Sequence, residues 1–197
     1  MSFRLEKKIK IHKSKLNHFH KWIIDNDINK LYPSRKIKSL YYDNLYYQMF
    51  RDSIEGVLPR KKIRIRFYPD DPNKIFSLEK KISSNEGRYK KSFLLSKKQY
   101  GEKIFDKVYG YCQPLIEITY FRDYYTFKGL RITLDQNISV NKFGILSKKV
   151  FLDDICLEIK APHKFPQDIL EQLIHWEEIR FSKYCKGIDA VGISSIY

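Results

Sequence analysis

Cysteine is scarce in this chain. Only Cys112, Cys156 and Cys185 occur, odd in number, far apart and without a CxxC pair. That excludes a disulfide framework and a cysteine-held zinc, and it fits a reducing compartment. Acid is in short supply: 23 Asp and Glu face 38 Lys and Arg, a net charge of +15 with pI near 9.6. Such an imbalance implies an anionic partner, whether nucleic acid, a phosphorylated small molecule or an acidic membrane surface. There is no long basic tail, so the charge belongs to folded elements. No apolar run approaches the length of a membrane span, and the opening MSFRLEKK has no apolar core for a signal peptide. A cytoplasmic protein with no membrane segment is the expectation. With 8 Gly and 7 Pro among 197 residues, no low-complexity segment, repeat or linker stands out, and a single domain over 1–197 is expected.

What the chain does have is strands with one charged face. In Arg60 to Tyr68, RKKIRIRFY, alternation puts Arg60, Lys62, Arg64 and Arg66 on one face and Lys61, Ile63, Ile65 and Phe67 on the other. Like charges about 7 Å apart along a strand repel unless an anion lies between them. Arginine grips phosphate oxygens bidentately, so the row suits a phosphate chain. A solvated face kept for solubility is the bland alternative.

Strands are predicted over Phe3–Ile11, Arg35–Asp43, Arg60–Tyr68, Ile75–Ser83, Arg88–Leu94, Pro114–Phe127, Leu130–Asn137 and Val150–Lys160, with a turn at Pro69–Asn73. Along the third to fifth strands, Ser77, Glu79 and Lys81, then Arg88, Lys90 and Ser92, oppose apolar residues. Parity puts Glu117 and Arg122 on different faces, so a bulge or an outward-facing member is expected. Helices are predicted over His12–Asn26, Asn44–Glu55 (stripe Leu45, Phe50, Ile54), Ser96–Val108, with Gly101 as its candidate break, and Phe165–Arg180. His18 and His20, two residues apart, cannot ligate one metal from a single helix face. About eight strands with one polar face each close most simply as an α+β protein, an eight-stranded antiparallel β-barrel with a polar lumen and helices packed outside.

In this order and at these spacings, SLYYD (39–43), FRDSIEG (50–56), KIRIRFY (62–68), LEKK (78–81), RITLD (131–135), LEIK (157–160) and FSKYCKGI (181–188) resemble one family. It is the polyphosphate polymerase domain of the vacuolar transporter chaperone proteins, within the triphosphate tunnel metalloenzymes. The resemblance implies a basic tunnel that holds triphosphate or polyphosphate. It maps Lys8, Arg64, Arg66, Lys81, Lys90, Arg122, Arg180 and Lys183 onto phosphate-binding cations, and Glu158 onto the carboxylate for Mn²⁺ or Mg²⁺. Lys62 and Arg131 join the phosphate-binding set by their polar faces; Glu6 and Glu79 are further candidate carboxylates. Strand parity favours Lys81 over Lys80 and Lys90 over Lys91 independently. Arg180 stands where the family usually has Lys.

The implied activity is transfer of the γ-phosphate of ATP to phosphate or to a growing polyphosphate. Arg64, Arg66, Arg122 and Lys81 would be the catalytic cations, and no nucleic acid partner is expected. Phosphoryl transfer needs positioning and charge neutralisation more than covalent help. A triphosphate hydrolase of the same fold resembles E-x-E-x-K in its first strand, where this chain has Arg4-x-Glu6-x-Lys8, which favours a phosphate acceptor over water. A non-catalytic binder of RNA or polyphosphate is a third possibility, with Tyr41, Tyr42, Tyr46 and Tyr47 as stacking rings; these rings more often line walls and cores.

Overall fold

The computed structural model describes residues 4–144, 148–162, 165–166, 168 and 181–193. The chain divides into two compact units. One comprises Met1–Arg35, Phe121–Ile138 and Asp153–Phe181; the other comprises Lys36–Tyr120, Ser139–Leu152 and Ser182–Tyr197. Three long strands run through both: β2 (Asn29–Asp43), β7 (Gly110–Phe127) and β8 (Leu130–Lys142). The others are β1 (Arg4–His12), β3 (Arg60–Phe67), β4 (Phe76–Ser84), β5 (Gly87–Leu95), β6 (Ile104–Asp106), β9 (Val150–Phe151) and β10 (Asp154–Pro162). The main pairing path is β1-β10-β8-β7-β2-β3-β4-β5, with β6 on β7 and β9 on β8; the pairs β1–β10, β10–β8, β2–β3, β3–β4, β4–β5, β6–β7 and β8–β9 are antiparallel.

In the first unit, alternation sorts the strands cleanly. Ile9, Leu157 and Leu134 align across β1, β10 and β8, and the neighbouring rows add Ile11 and Ile155, Ile159 and Ile132. Helix α1 (Leu16–Asp25) covers this apolar face. Its Phe19 meets Tyr125 edge-on at 5.9 Å, and Trp22 meets Phe127 at the same distance. The helix thus packs on the Ile/Phe side, as the pattern predicts.

In the second unit, Leu40, Ile65, Leu78 and Phe93 form one apolar row. Lys61 and Lys80 are exceptions to the pattern, and β6 explains them. Asp106 accepts from both ammonium groups, at 2.9 and 3.0 Å. Burial alone would raise its carboxyl pKa, but the hydrogen bonds from Lys61, the Val108 amide and Lys80 hold it well below the usual carboxylate range. The stretch Ser96–Val108 does not form a helix, because Gly101 takes a left-handed turn and the residues after it pair with β7. It makes one 3-10 turn, Lys97–Gln99, bends at Gly101 (φ +94°) and then pairs as β6.

Helix α2 spans Gln48–Glu55, shorter than the expected Asn44–Glu55, and it buries Met49 and Ser53 while Leu45 and Ile54 stay exposed. The reason lies at its N-terminus. Asp43 accepts from the Met49 and Phe50 amides at 3.0 and 2.9 Å, and Asn44 accepts from Gln48, so both lie outside the helix as caps. Helix α3 (Lys183–Ala190), which the sequence pattern does not predict, adds Tyr184, whose hydroxyl donates to Asp43 at 2.6 Å. Asp43 thereby ties α2 and α3 to the end of β2. Burial raises its pKa, with the bonds from Tyr184 and the three amides opposing. Asp43→Ala is expected to destabilise the fold by about 2–3 kcal/mol, read from denaturant unfolding. The expected strand Val150–Lys160 is split into β9 and β10, and the expected helix over Phe165–Arg180 falls almost wholly outside the described residues.

Candidate phosphate site

The polar face of the second unit is organised by register. Tyr41, Arg64, Glu79 and Ser92 form one row across β2 to β5; Lys62, Lys81 and Lys90 form the next. Three lysines in one cross-strand row is an arrangement that sheets normally avoid. Two unit charges held 5 Å apart would repel by roughly 1 kcal/mol in water and about 3 kcal/mol at an effective dielectric of 20.

Glu79 sits at the centre of this face and is 5% exposed. Arg64 Nε donates to its Oε2 at 2.7 Å, and Arg64 Nη2 lies 2.5 Å from the same oxygen. Arg66 Nη1 stands 3.7 Å away, and Lys90 Nζ donates to Oε1 at 2.8 Å. Burial would raise the Glu79 pKa, but Arg64, Arg66 and Lys90 outweigh it and hold the carboxyl well below its ordinary range. Arg64 Nη1 also donates to the Tyr41 hydroxyl at 2.9 Å, and Tyr41 stacks on Tyr184 at 5.2 Å. Burial pushes the Tyr41 phenol up, yet Arg64, Arg66 and Lys183 bring its pKa below the ordinary value. Arg66 Nη2 donates to the Tyr120 hydroxyl at 3.0 Å, and Lys183 Nζ lies over the Tyr120 ring at 4.9 Å. Lys62 donates to Ser182 at 2.8 Å.

The first unit carries a second charged face. Lys8, Glu158 and Thr133 form one row across β1, β10 and β8; Glu6, Lys160 and Arg131 form the next, and Lys10, Cys156 and Asp135 flank them. Glu158, 8% exposed, accepts from Lys160 at 2.9 Å and lies 4.0 Å from Arg122 Nη2. Burial raises its pKa, but Lys160, Lys8 and Arg122 together hold it well below the usual range. Arg122 is gripped by buried Asp135, Nε to Oδ1 at 2.5 Å and Nη2 to Oδ2 at 2.7 Å. Lys8 Nζ lies 3.3 Å from Glu6 Oε1 and donates to the Phe181 carbonyl at the same distance.

The chain has counterparts among known proteins. The family model described as the VTC domain matches residues 3–111 and 102–191. The chain belongs to the VTC domain family. No curated protein matches this VTC domain in sequence. Among solved structures it is similar to an adenylate cyclase candidate from Bacillus halodurans, at 14% identity and TM-score 0.59 over 92% of this chain and 94% of that one. A conserved hypothetical protein from Pyrococcus furiosus shares 15% identity and TM-score 0.59 over 93% and 99%. An adenylyl cyclase candidate from Hippeastrum, described as having a dominant triphosphatase activity, shares 16% identity and TM-score 0.55 over 94% and 96%. The fold is that of the triphosphate tunnel proteins.

In the VTC domain, the expected cations of the second unit, Lys62, Arg64, Arg66, Lys81, Lys90 and Lys183, share strands or neighbouring contacts around Glu79 and Tyr120. Lys8, Arg122, Glu6 and Glu158 gather in the first unit. Arg131 lies in the same register but is exposed at the end of that face. Arg180 is outside the described residues. Glu117 pairs with Lys38 at 3.0 Å and with Asn141 and Tyr100, while Arg122 pairs with Asp135. Both side chains are buried and keep separate partners.

Sequence reasoning overlooked three partners: Tyr41, Asp135 and Ser182. Tyr41 belonged to a run of tyrosines treated as wall residues. It is indeed buried, like Tyr42, whereas Tyr46 is exposed; its strand parity opposite Arg64 was the available signal. Glu79 has both oxygens engaged by cations at 2.8 Å or less, whereas Glu158 has Oε1 held by Lys160 at 2.9 Å and Oε2 standing 4.0 Å from Arg122, which leaves Oε2 the more open donor for a divalent ion. Among the described residues, no three His, Cys, Asp or Glu side chains cluster as a metal cage. What remains fits Mg²⁺ or Mn²⁺ bound in the open manner, through one or two carboxylates with substrate phosphates completing the shell. Glu158 and Glu6 sit on adjacent strands two residues apart in register and supply hard oxygen donors.

Glu79→Gln tests the counter-charge. Its depressed carboxyl pKa contributes stability that is fully present above the unfolded value near 4.3 and is lost as pH falls through the folded value. The variant is expected to melt lower at pH 7, to lose less stability below about pH 4, and to gain more from tripolyphosphate than wild type does. Thermal shift across pH, with and without tripolyphosphate, reads all three.

Proposed function

We propose that this VTC domain is an ATP-dependent polyphosphate polymerase, moving the γ-phosphate of ATP to phosphate or to the end of a polyphosphate chain with Mn²⁺ or Mg²⁺. The observation that carries the proposal is the pair of adjacent cross-strand rows, Tyr41-Arg64-Glu79-Ser92 and Lys62-Lys81-Lys90. They set cations at strand spacing with a carboxylate already lodged where an oxyanion fits. The family membership supports the class of substrate.

In this account Glu79 is a counter-charge rather than a metal ligand. An entering triphosphate takes over Arg64, Arg66 and Lys90, and Tyr41 keeps the Arg64 guanidinium oriented. Lys62 and Lys81 extend the row along the phosphate chain, and Lys183 adds charge beside Tyr120. On the first unit's own face, Arg122, held rigid by Asp135, would neutralise oxygens of a phosphate bound beside Glu158. Glu158, with Glu6, would hold the divalent ion, whose charge would offset that of a phosphoryl group bound on that face. The acceptor oxygen forms the new P–O bond as the bond between the γ-phosphorus and the β–γ bridging oxygen breaks, and ADP departs. The acceptor is already anionic, so no strong base is needed.

A triphosphatase is the second reading, favoured by the presence of Glu6 and Glu158 on one face. Mass balance separates the two. With ATP and Mn²⁺, the polymerase is expected to give ADP and long-chain polyphosphate in matching phosphate equivalents. ADP with only free phosphate would establish hydrolysis instead.

A further inference from the structure

Two tyrosines and two arginines gather within the first unit. Arg35 Cζ lies 5.4 Å from the ring centre of Tyr32 and 5.9 Å from that of Tyr124. Arg131 Cζ lies 5.8 Å from Tyr124, and the two tyrosines meet edge-to-face at 5.7 Å and 81°. Tyr124 is thus flanked by guanidinium groups from two strands and is 4% exposed, while Tyr32 is 46% exposed. Both arginines are exposed.

Register ties this cluster to the charged face of the same unit. Tyr124 follows Arg122 by two residues on β7 and so shares its face, roughly 7 Å along. Arg131 ends the row Glu6-Lys160-Arg131, next to the row that holds Glu158. A chain of phosphates alone would use the arginines and leave Tyr32 without a role. A planar aromatic group carrying phosphates uses every member: ring and guanidinium planes to stack on, and positive charge for the anion beside them.

We propose that Tyr32, Arg35, Tyr124 and Arg131 hold the base of a nucleoside triphosphate, so that this face prefers a nucleotide to an inorganic phosphate chain. The inference rests on the phosphate-binding function proposed above.

The test is calorimetric titration of the full chain with ATP and, separately, with tripolyphosphate, for wild type, Tyr32→Ala and Tyr32→Phe. Tyr32→Ala is expected to weaken ATP about tenfold and to leave tripolyphosphate within about twofold, while Tyr32→Phe restores ATP binding. Equal weakening of both ligands would assign the cluster to phosphate, and unchanged ATP affinity would remove it from binding; either result overturns the inference while the phosphate site stands. A wild-type protein that binds neither ligand would remove the proposed function and this inference together.

Discussion

Arg64→Ala is expected to lower kcat/KM for ATP by about 10³-fold and to weaken ATP binding by at least about tenfold. The reasoning starts from geometry. Arg64 is the one cation of its row that reaches a carboxylate with two nitrogens while a third contact, Nη1 to the Tyr41 hydroxyl, fixes its plane. Removing it takes away the bidentate grip, and it leaves the Glu79 carboxylate with less positive charge around it, so the negative charge of Glu79 now opposes an incoming phosphate. Arg64→Lys restores the charge but not the fork and is expected to recover only part of the loss. Two measurements check this: initial rates of ADP formation against ATP concentration, and calorimetric affinity for ATP. Matching melting curves would show that the fold survives. Activity intact in both variants would remove Arg64 from the site.

Glu158→Gln is expected to divide kcat and binding. Turnover should fall by about 10²–10³-fold while ATP affinity stays within a few-fold. Gln is nearly isosteric and can still accept from Lys160, so packing around the buried side chain is retained. What it loses is the charge that would hold a divalent ion near Arg122 and Lys8. Because Lys160, Lys8 and Arg122 hold the Glu158 carboxyl well below the usual range, it is ionised throughout the neutral range. Wild-type turnover should therefore show no acid limb from this residue above about pH 5. Steady-state kinetics set beside ATP titration separates the two effects. An equal loss of binding and turnover would mark Glu158 as a partner of Lys160 and nothing more.

Much of this was legible in sequence because a strand's period is two residues and leaves little choice. Once Arg64 faced the polar side, Glu79 and Lys81 followed by parity, and so did the apolar rows of Ile63 and Ile65. Lys61 and Lys80 broke the pattern in sequence, and only the fold shows why: Asp106, on a short strand far along the chain, neutralises both. The stretch from Ser96 to Val108 carries Tyr100, Ile104 and Val108 at helical spacing, but the turn at Gly101 and pairing with β7 override that pattern. Helix α3 was hidden for a related reason. Its Gly187 would be poor in an isolated helix, but a side chain there would meet Ile116 Cδ1 at 2.8 Å and Ile118 Cδ1 at 3.0 Å. The close approach of α3 to β7 selects glycine and overrides propensity. The pairing of Arg122 with Asp135 joins two strands of one hairpin across the Lys128–Gly129 turn; parity set Arg122 apart from Glu117 but named no partner for it, because its reach to Asp135 depends on the hairpin register.

The row Lys62-Lys81-Lys90 exists, in this account, to lie along a phosphate chain. Titration of tripolyphosphate into the protein over a range of salt concentrations, for wild type and for Lys81→Ala with Lys90→Ala, tests that directly. The expected result is one saturable site whose affinity falls steeply with salt, weakened at least about tenfold in the double variant. Tripolyphosphate binding that is absent, or unchanged by both salt and the double substitution, would contradict it.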